Sequence, residues 1–294
     1  MAQQTAWQFS DDRGQLAARS ARPSKVIAYI QAGATLWDHG IHVHGVFGSY
    51  HDGPAPDPAK AGELPLDSVE YLGAGGTADL DALLGCGPDL VVAVSYGSGQ
   101  VYGLDPETAK HLEEQVPLTV LDVSRPHDLA ALRARFAELA RSLGAPDDPA
   151  AERRAQAALD RLRTAADVPS PPRVTALSAA GPDRAHIARP AAWPDLRALT
   201  AGGVRLAEPA GSAGANWSTV TWAEAAELRP AVVLADVRCN ATPPGELDAA
   251  AADGWHRLRR DAVVLPWNPE APVSARAHAR FLTRVADAVE AAAG

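Results

Sequence analysis

The sequence contains few cysteines and few aromatic residues. Its two cysteines, Cys86 and Cys239, belong to no CxxC motif or Cys/His cluster, which argues against a cysteine-based metal site. A disulfide would require them to lie within bonding distance, so two buried thiols are the simpler expectation. Aromatic residues make up 5% of the chain, so the position of each one is informative.

The chain also lacks a basic excess and long apolar runs. Its net charge of −9 and pI near 5.4 provide no field that would attract nucleic acid or anionic lipid. No stretch approaches the roughly 20 apolar residues that span a bilayer. The opening residues, MAQQTAWQFSDDRG, show neither a signal peptide nor a cysteine for lipidation, so we expect a soluble chain and leave its compartment, possible export included, open.

Short apolar runs rich in β-branched residues alternate with helical patterns. Their apolar content is continuous, which is typical of strands buried on both faces of a parallel sheet. The predicted strands are KVIAYI (25–30), HVHGVF (42–47), DLVVAV (89–94), LTVLDV (118–123), RVTALS (173–178), AVVLAD (231–236) and AVVLP (262–266). Strands that alternate with helices predict an α/β fold.

A helical interval separates two sets of strands. Large apolar residues there are spaced as one stripe of a helix: Leu129, Leu132, Phe136, Leu139 and Leu143. GAPDDP interrupts this helix, and a second helical stretch continues to the prolines of VPSPP. We therefore predict an α/β lobe over residues 1–124, a helical connector over 125–168 and a second α/β lobe over 169–294. The alternative is a single doubly wound domain with one long crossover.

The two predicted lobes contain similar stretches. GGTADLDALLGCGPDLVVAVSYG (75–97) and WSTVTWAEAAELRPAVVLADVRC (217–239) align so that Pro88 matches Pro230. Each stretch predicts a loop, a short helix, a proline-marked turn and a buried strand. The shared order supports two related lobes.

Trp217 follows a run of small residues, PAGSAG, in which neither helix nor strand periodicity is present. We predict that it begins a helix-entry loop, with Ser218 or Thr219 as the N-cap. Ligands of open α/β sheets bind in loops beyond the carboxyl ends of strands. Three further residues at predicted strand ends are therefore candidate contacts: Tyr96, Arg238 and Trp267.

Four stretches resemble the class III, or helical-backbone, periplasmic binding proteins, which deliver ferric siderophores, haem and cobalamin to ABC importers. They are SKVIAYIQAGATLWDHGIHVHGVFG, LGAGGTADLDALLGCGPDLVVA, WSTVTWAEAAELRPAVVLA and GWHRLRRDAVVLPWN. The second is similar to the most specific signature of the family, a Gly-containing loop, an acidic helix and P-D-L-V. The likeness extends from Phe9 to the last helix.

The resemblance implies two Rossmann-like α/β lobes joined by a long helical connector, with the ligand held in a cleft between the lobes. It implies a substrate-binding protein that captures an iron-siderophore or similar bulky metal chelate for an ABC importer, and that acts as a monomer. Carried over by position, the ligand-facing candidates are Trp37, Tyr96, Trp217, Arg238 and Trp267. Aromatic faces and a guanidinium suit an anionic chelate with an apolar shell. Because the siderophore supplies all the metal ligands, no cofactor or protein metal site is expected.

The family docks to its permease through one acidic residue on each lobe. The first position falls near Leu36, which is apolar, so Asp38 is the nearest candidate. The second falls near Asp195, in WPDLRALTAGG. Asp38 and Asp195 are therefore the docking acids that the resemblance implies.

Other interpretations of the sequence are weaker. His42 and His44 have the spacing of a strand-borne zinc or copper site, but without a third ligand solvent-facing histidines are the better interpretation. No nucleophile elbow, HExxH motif or paired carboxylates indicate catalysis. The alternative to a receptor is a cytoplasmic carrier or enzyme that uses the same scaffold for a small organic metabolite. Three further tryptophans are expected to pack structurally: Trp193, Trp222 and Trp255.

Overall fold

The computed structural model describes residues 6–97, 99–124, 127–209, 214–250 and 253–294. The chain divides into two compact units, Met1–Pro149 with Glu270–Ala277 and Ala150–Pro269 with His278–Gly294. Residues 125 and 126, the first two of the predicted connector, lie outside the described residues. The predicted boundaries of the lobes and the connector stay a prediction.

The elements of the first unit alternate between strand and helix. Its strands are β1 (Trp7–Ser10), β2 (Leu16–Arg19), β3 (Val26–Tyr29), β4 (Gly45–Gly48), β5 (Glu70–Ala74), β6 (Leu90–Ser95) and β7 (Leu118–Asp122). Its helices are α1 (Ile30–Asp38), α2 (Pro58–Ala61), α3 (Leu80–Gly85), α4 (Pro106–Gln115) and α5 (Leu129–Ser142).

The main sheet of the first unit is parallel, in the order β5-β4-β3-β6-β7. Strands β3 and β6 are buried along their whole length, as their continuous apolar sequences predict. The β1–β2 hairpin lies against the edge strand β7. The backbone N–H of Asp12 donates to the Val120 carbonyl (3.1 Å), and the Val120 N–H donates to the Asp11 carboxylate (3.2 Å). These bonds satisfy backbone groups that a free edge would expose.

The second unit follows the same alternation. Its helices are α6 (Pro149–Ala166, whose first residue is in the first unit), α7 (Pro194–Ala201), α8 (Trp222–Glu227), α9 (Pro244–Ala249), α10 (Asp253–Asp261) and α11 (Ala275–Ala293, whose first three residues are in the first unit). Its strands are β8 (Arg173–Ala179), β9 (Arg184–Ala188), β10 (Arg205–Leu206), β11 (Trp217–Thr221), β12 (Val232–Asp236) and β13 (Val263–Trp267).

The sheet of the second unit is mixed, in the order β11-β9-β8-β12-β13, with β10 beside β8. Strands β8, β12 and β13 are parallel, whereas β9 is antiparallel to both β8 and β11. Alternate residues of β12 face two different cores: Val232 and Leu234 pack in one, Val233 and Ala235 in the other. The α/β class predicted from the sequence is confirmed.

The helical interval consists of two helices, because α5 ends at Ser142 and α6 begins at Pro149. The interruption coincides with GAPDDP, as predicted. Gly144 takes a left-handed backbone conformation (φ +95°), which ends the first helix.

Short polar side chains cap the N-termini of several helices. In the first unit, aspartate carboxylates accept bonds from first-turn backbone N–H groups at four N-caps: Asp57, Asp79, Asp105 and Asp128. In the second unit, Thr221 caps α8 and forms a capping box with Glu224. The predicted N-caps Ser218 and Thr219 are wrong, because both residues belong to strand β11. For the same reason Trp217 does not lie in a helix-entry loop.

The cysteine prediction also requires correction. Cys86 is half-buried at the C-cap of α3 and Cys239 is exposed after β12, and neither forms a disulfide. Two buried thiols were therefore the wrong expectation, because both residues lie in loops that follow secondary structure. Within the described residues, every helix is too short or too polar to cross a membrane.

Candidate functional site

Trp193, Trp217 and Trp267 form one cluster in the second unit. Their ring centroids lie 5.1 Å apart for Trp193 and Trp217, 5.8 Å for Trp217 and Trp267, and 5.9 Å for Trp193 and Trp267. The rings are tilted or perpendicular to one another, which are favourable arrangements for aromatic pairs. Trp193 and Trp267 are buried, whereas Trp217 is half-buried. The structure thus brings together two predicted contact residues, Trp217 and Trp267, and adds Trp193.

Local structure fixes each ring of this tryptophan cluster. Trp267 is the last residue of β13, and Trp217 is the first residue of β11, where it pairs with Ala188. Trp193 precedes α7, and its indole N–H donates to the carbonyl of Asn216 (3.3 Å). All three indoles pack against the core on one face of the sheet. The expectation that Trp193 packs structurally is confirmed, and the residues it packs against include two candidate contacts.

Asp195 lies against this cluster. Its Oδ2 accepts a bond from the indole Nε1 of Trp267 (2.5 Å), and its Oδ1 accepts one from the backbone N–H of Leu196 (2.9 Å). Burial raises the pKa of Asp195 to about 6, and the bond from Trp267 opposes that rise. The predicted docking acid of the second unit is thus bound to a tryptophan of its own unit.

Arg238 follows the carboxyl end of β12 and is buried, with 8% of its surface exposed. Its Nε and Nη2 donate to the carboxylate of Asp236, the Nη2 bond being 2.8 Å long. Asp236 pairs across the sheet with Trp267. Arg238 therefore lies beyond the carboxyl ends of β12 and β13, close to the end of the strand that carries Trp267. The carboxylate of Asp236 compensates its charge.

In the first unit, a row of tyrosines leads from the surface to the core. Tyr96 follows β6 and is 37% exposed. Its ring lies edge-on to that of Tyr102, with centroids 4.7 Å apart, and the Tyr102 ring is nearly perpendicular to that of Tyr29 at 5.4 Å. Tyr29 is fully buried and also packs on Phe47 at 5.9 Å. Tyr96 is thus supported by a tyrosine, Tyr102, that the sequence did not single out.

A buried ionic network surrounds the hydroxyl of Tyr29. Lys60 Nζ lies 2.7 Å from the Asp52 carboxylate and 3.1 Å from that of Glu270, and all three side chains are at most 2% exposed. Tyr29 donates its hydroxyl to Glu270. Burial, with the neighbouring Glu270 charge, raises the pKa of Tyr29 well above its ordinary value, so the phenol stays protonated. Buried charges of this kind require such pairing.

The segment Glu270–Ala277 runs along a polar stripe of the buried helix α1. Gln31, Thr35 and Asp38 are spaced by four and three residues, which places them on one helix face. Gln31 donates to the Ala271 carbonyl (3.0 Å), Thr35 accepts from the Val273 N–H (2.8 Å), and Asp38 accepts the hydroxyl of Ser274. Asp38, the other predicted docking acid, is thus 5% exposed and anchors this segment.

Trp37 lies apart from the other first-unit candidate. It is at the carboxyl end of α1, about 12 Å along the helix from Tyr29. Its ring lies perpendicular to the ring of His42, which is in the loop before β4, and the ring centroids are 4.8 Å apart. Tyr96 follows the carboxyl end of β6, so the structure does not bring Trp37 and Tyr96 together.

The histidine pair is exposed, as the preferred interpretation predicts. His42 and His44 both precede β4, which begins at Gly45, so their placement on a strand was wrong. Trp222 and Trp255 pack structurally, as predicted. Their rings lie 5.4 Å apart and both side chains are buried on the other face of the second sheet.

Sequence reasoning missed the partners of the aromatic candidates. Asp195 and Trp267 are 72 residues apart, and Tyr29 and Glu270 are 241 apart. No local sequence motif predicts contacts between residues so far apart in the sequence. The usable signals were weak: an acid in the first turn of α7, and a lysine in an otherwise small-residue helix.

No protein-family model matches the sequence, and no curated protein matches it. Among solved structures, the chain is similar to DesE, a ferric-siderophore receptor protein from Streptomyces coelicolor. The TM-score is 0.85 at 26% identity, over 97% of this chain and 98% of that chain.

Two further structures are similar at lower identity. One is the siderophore periplasmic binding protein from the fuscachelin gene cluster of Thermobifida fusca, with a TM-score of 0.64 and 15% identity over 92% of this chain and 98% of that one. The other is a periplasmic heme binding protein from Pseudomonas aeruginosa, with a TM-score of 0.66 and 17% identity over 92% of this chain and 93% of that one. The resemblance found in the sequence is confirmed, and the chain has the fold of the class III periplasmic binding proteins.

Proposed function

We propose that this chain is a substrate-binding protein that captures a ferric siderophore, or a similarly bulky metal chelate, for an ABC importer. The observation that carries the proposal is the likeness to a ferric-siderophore receptor over 97% of the chain at a TM-score of 0.85. The other neighbours named above are binding proteins too. Fold alone does not determine function, so the ligand depends on the side chains at the site.

The candidate residues suit a large, partly apolar chelate. Trp217 and Tyr96 each present a partly exposed aromatic ring supported by further rings. Such rings bury much apolar area at a small entropic cost, because packing already holds them. Arg238 also lies at a strand end, but its guanidinium is buried and donates to Asp236, so the two aromatic rings are the stronger candidates for contact. The iron needs no protein ligand, since a siderophore supplies its own donor atoms.

The proposal that the protein delivers its ligand to a permease is supported by the fold likeness, and the two candidate docking acids do not support it. Asp38 accepts a bond from Ser274, and Asp195 accepts one from Trp267. A simple discriminator is the gene neighbourhood. Permease and ATPase genes beside this gene favour import, whereas biosynthetic genes alone favour a carrier or enzyme for a small metabolite.

Ligand binding is tested by tryptophan fluorescence. The wild type is titrated with ferric hydroxamate and catecholate siderophores, haem and cobalamin. We expect saturable quenching at micromolar concentration or below by at least one of them. In Trp217→Ala we expect at least tenfold weaker binding, which corresponds to about 1.4 kcal/mol.

The matched control is Trp222→Phe, which alters a buried tryptophan of the same unit on the other face of its sheet. It should leave the affinity unchanged. If no chelate in the panel quenches the wild type, the proposed function is wrong.

A further inference from the structure

We propose that Asp195 is a positioning residue for ligand binding, which holds the indole of Trp267 and through it sets the orientation of Trp217. This inference rests on the proposed function, because it assigns a role within the same site. It replaces the permease-docking role that the resemblance implied for Asp195.

The hydrogen bond from Trp267 to Asp195 fixes the rotation of the indole. A tryptophan ring packed only on other rings can slide or rotate within its plane, because dispersion contacts have little directionality. A bond of 2.5 Å from the indole Nε1 to Asp195 Oδ2 fixes that rotation. A carboxylate is also a stronger acceptor for a buried N–H than a neutral group is.

The carboxylate itself is fixed in turn. Asp195 is in the first turn of α7, and its other oxygen accepts the N–H of Leu196 (2.9 Å). Leu196 is fully buried, so the helix start cannot shift without disturbing the core. Asp195 therefore connects a rigid helix end to the ring of Trp267.

The orientation of Trp267 is passed on to the exposed member of the cluster. Trp217 contacts both Trp267 and Trp193, at 5.8 and 5.1 Å. Trp193 and Trp267 are buried, and Trp217 is the partly exposed ring of the three. A change at Asp195 thus reaches a ligand-contacting ring without Asp195 touching the ligand. If the ring of Trp217 is no longer held in position, it must be ordered when the ligand binds, and this lowers the affinity.

The same unit contains an internal control. Trp255 Nε1 donates to the Asp248 carboxylate at 2.8 Å, and its ring packs on Trp222 at 5.4 Å. This pair also joins an indole to a carboxylate, although Asp248 accepts a second bond from Arg259, and Trp255 belongs to the core on the other face of the sheet. Asp248→Leu therefore breaks an indole–carboxylate bond that has no part in the proposed site.

The experiment compares Asp195→Leu, Asp195→Asn and Asp248→Leu. Near-ultraviolet circular dichroism of the protein alone reports the coupling of the three closely spaced indoles. Affinity is measured for whichever probe quenches the wild type, from a ferric trihydroxamate, a ferric tricatecholate and haem. We expect Asp195→Leu to change the spectrum and to weaken binding at least fivefold. Asp195→Asn, which keeps an acceptor oxygen, should stay within twofold of the wild type.

A double-mutant cycle provides the readout that a merely structural role would not reproduce. Trp267→Phe keeps a ring but removes the N–H, so adding Asp195→Leu to it should weaken binding no further. If Asp195→Leu fails to fold, two other variants still test the hydrogen bond. Asp195→Asn keeps the acceptor oxygen, whereas Trp267→Phe removes the N–H donor. Fivefold or greater loss in Trp267→Phe, with Asp195→Asn near the wild type, supports the proposal.

Three results would overturn it. They are an unchanged spectrum in Asp195→Leu, effects of Asp195→Leu and Trp267→Phe that simply add, or the same loss of affinity in Asp248→Leu. If no probe binds the wild type, the proposed function has failed, and the spectrum of Asp195→Leu alone decides whether Asp195 positions the cluster.

Discussion

Arg229 has the same left-handed backbone conformation as Gly87, each one residue before the matching prolines Pro230 and Pro88. The φ angles are +47° for Arg229 and +62° for Gly87. Both residues follow the C-cap of a short helix, where the chain commonly reverses through this conformation. Glycine adopts it without strain, whereas arginine does so at a cost.

Replacing Arg229 with glycine should therefore stabilise the protein. We expect Arg229→Gly to raise the free energy of unfolding by about 1 kcal/mol, because the β-carbon strain is removed. Urea denaturation measures the change. The control is Gly87→Ala, whose new Cβ meets only Lys25 Nζ at 3.8 Å, so backbone strain alone should lower stability. A destabilised Arg229→Gly would mean that the arginine side chain makes contacts worth more than the strain.

Removal of Lys60 should destabilise the protein strongly. Lys60→Met leaves the carboxylates of Asp52 and Glu270 buried without their cation, which costs about 3–5 kcal/mol. Urea denaturation should show this loss. Lys60→Met combined with Glu270→Gln should be more stable than Lys60→Met alone, because one uncompensated charge is gone. Equal stability of the two variants would show that Glu270 is not a buried charge that Lys60 compensates.

Asp195 should make stability depend on pH. Its pKa is raised to about 6 from the ordinary 3.8, so the folded state binds a proton that the unfolded state releases. This contribution to stability is fully present below about pH 4 and is lost as the pH rises through 6. Among nearby charges, Arg197 on the same helix acts to lower the pKa of Asp195, and the tryptophan rings beside it carry no charge.

Asp195→Asn isolates this contribution from the histidines, which titrate in the same range. Unfolding free energies are measured for both proteins at pH 4.5 and pH 7. The wild type should lose stability relative to Asp195→Asn between these values. A constant difference would show that Asp195 titrates at its ordinary pKa.

Gly254 permits a close approach of α10 to α8. A β-carbon there would lie 2.4 Å from the backbone carbonyl carbon of Trp222. Gly254→Ala should therefore lower the free energy of unfolding by about 1–3 kcal/mol, through overpacking. Gly245→Ala is the matched control, because a β-carbon added to that helical glycine would have no neighbouring atom within 4 Å. It should be neutral or slightly stabilising.

The strands with continuous apolar sequences could be predicted, because burial on both faces leaves a strong signal. Strands β3, β6 and β12 lie within one or two residues of their predicted bounds. Strands β9 and β11 were missed, since RAHIA and WSTVT are short and mix polar with apolar residues. Strand β11 is at the edge of the second sheet and β9 lies beside it, and strands with such mixed sequences resemble loops. This is why Trp217 was placed in a loop.

The candidate site was predictable only in part. Aromatic residues at strand ends could be named because they are scarce, and Trp217 and Trp267 do meet. Their carboxylate partner could not be named, because the resemblance assigned Asp195 to docking and its contact with Trp267 depends on tertiary structure. The polar stripe of α1 was present in the sequence at helical spacing, but its partner segment begins at Glu270.

The contact of Lys60 with Glu270 has a consequence for synthesis on the ribosome. The ammonium of Lys60 has Asp52 beside it early, but its second carboxylate belongs to a segment made after nearly all of the second unit. Translation of the intervening residues takes on the order of ten seconds. During that time the first unit lacks the segment that completes its interior. The first unit is the first to emerge, yet it can complete its fold only when nearly the whole chain has been made.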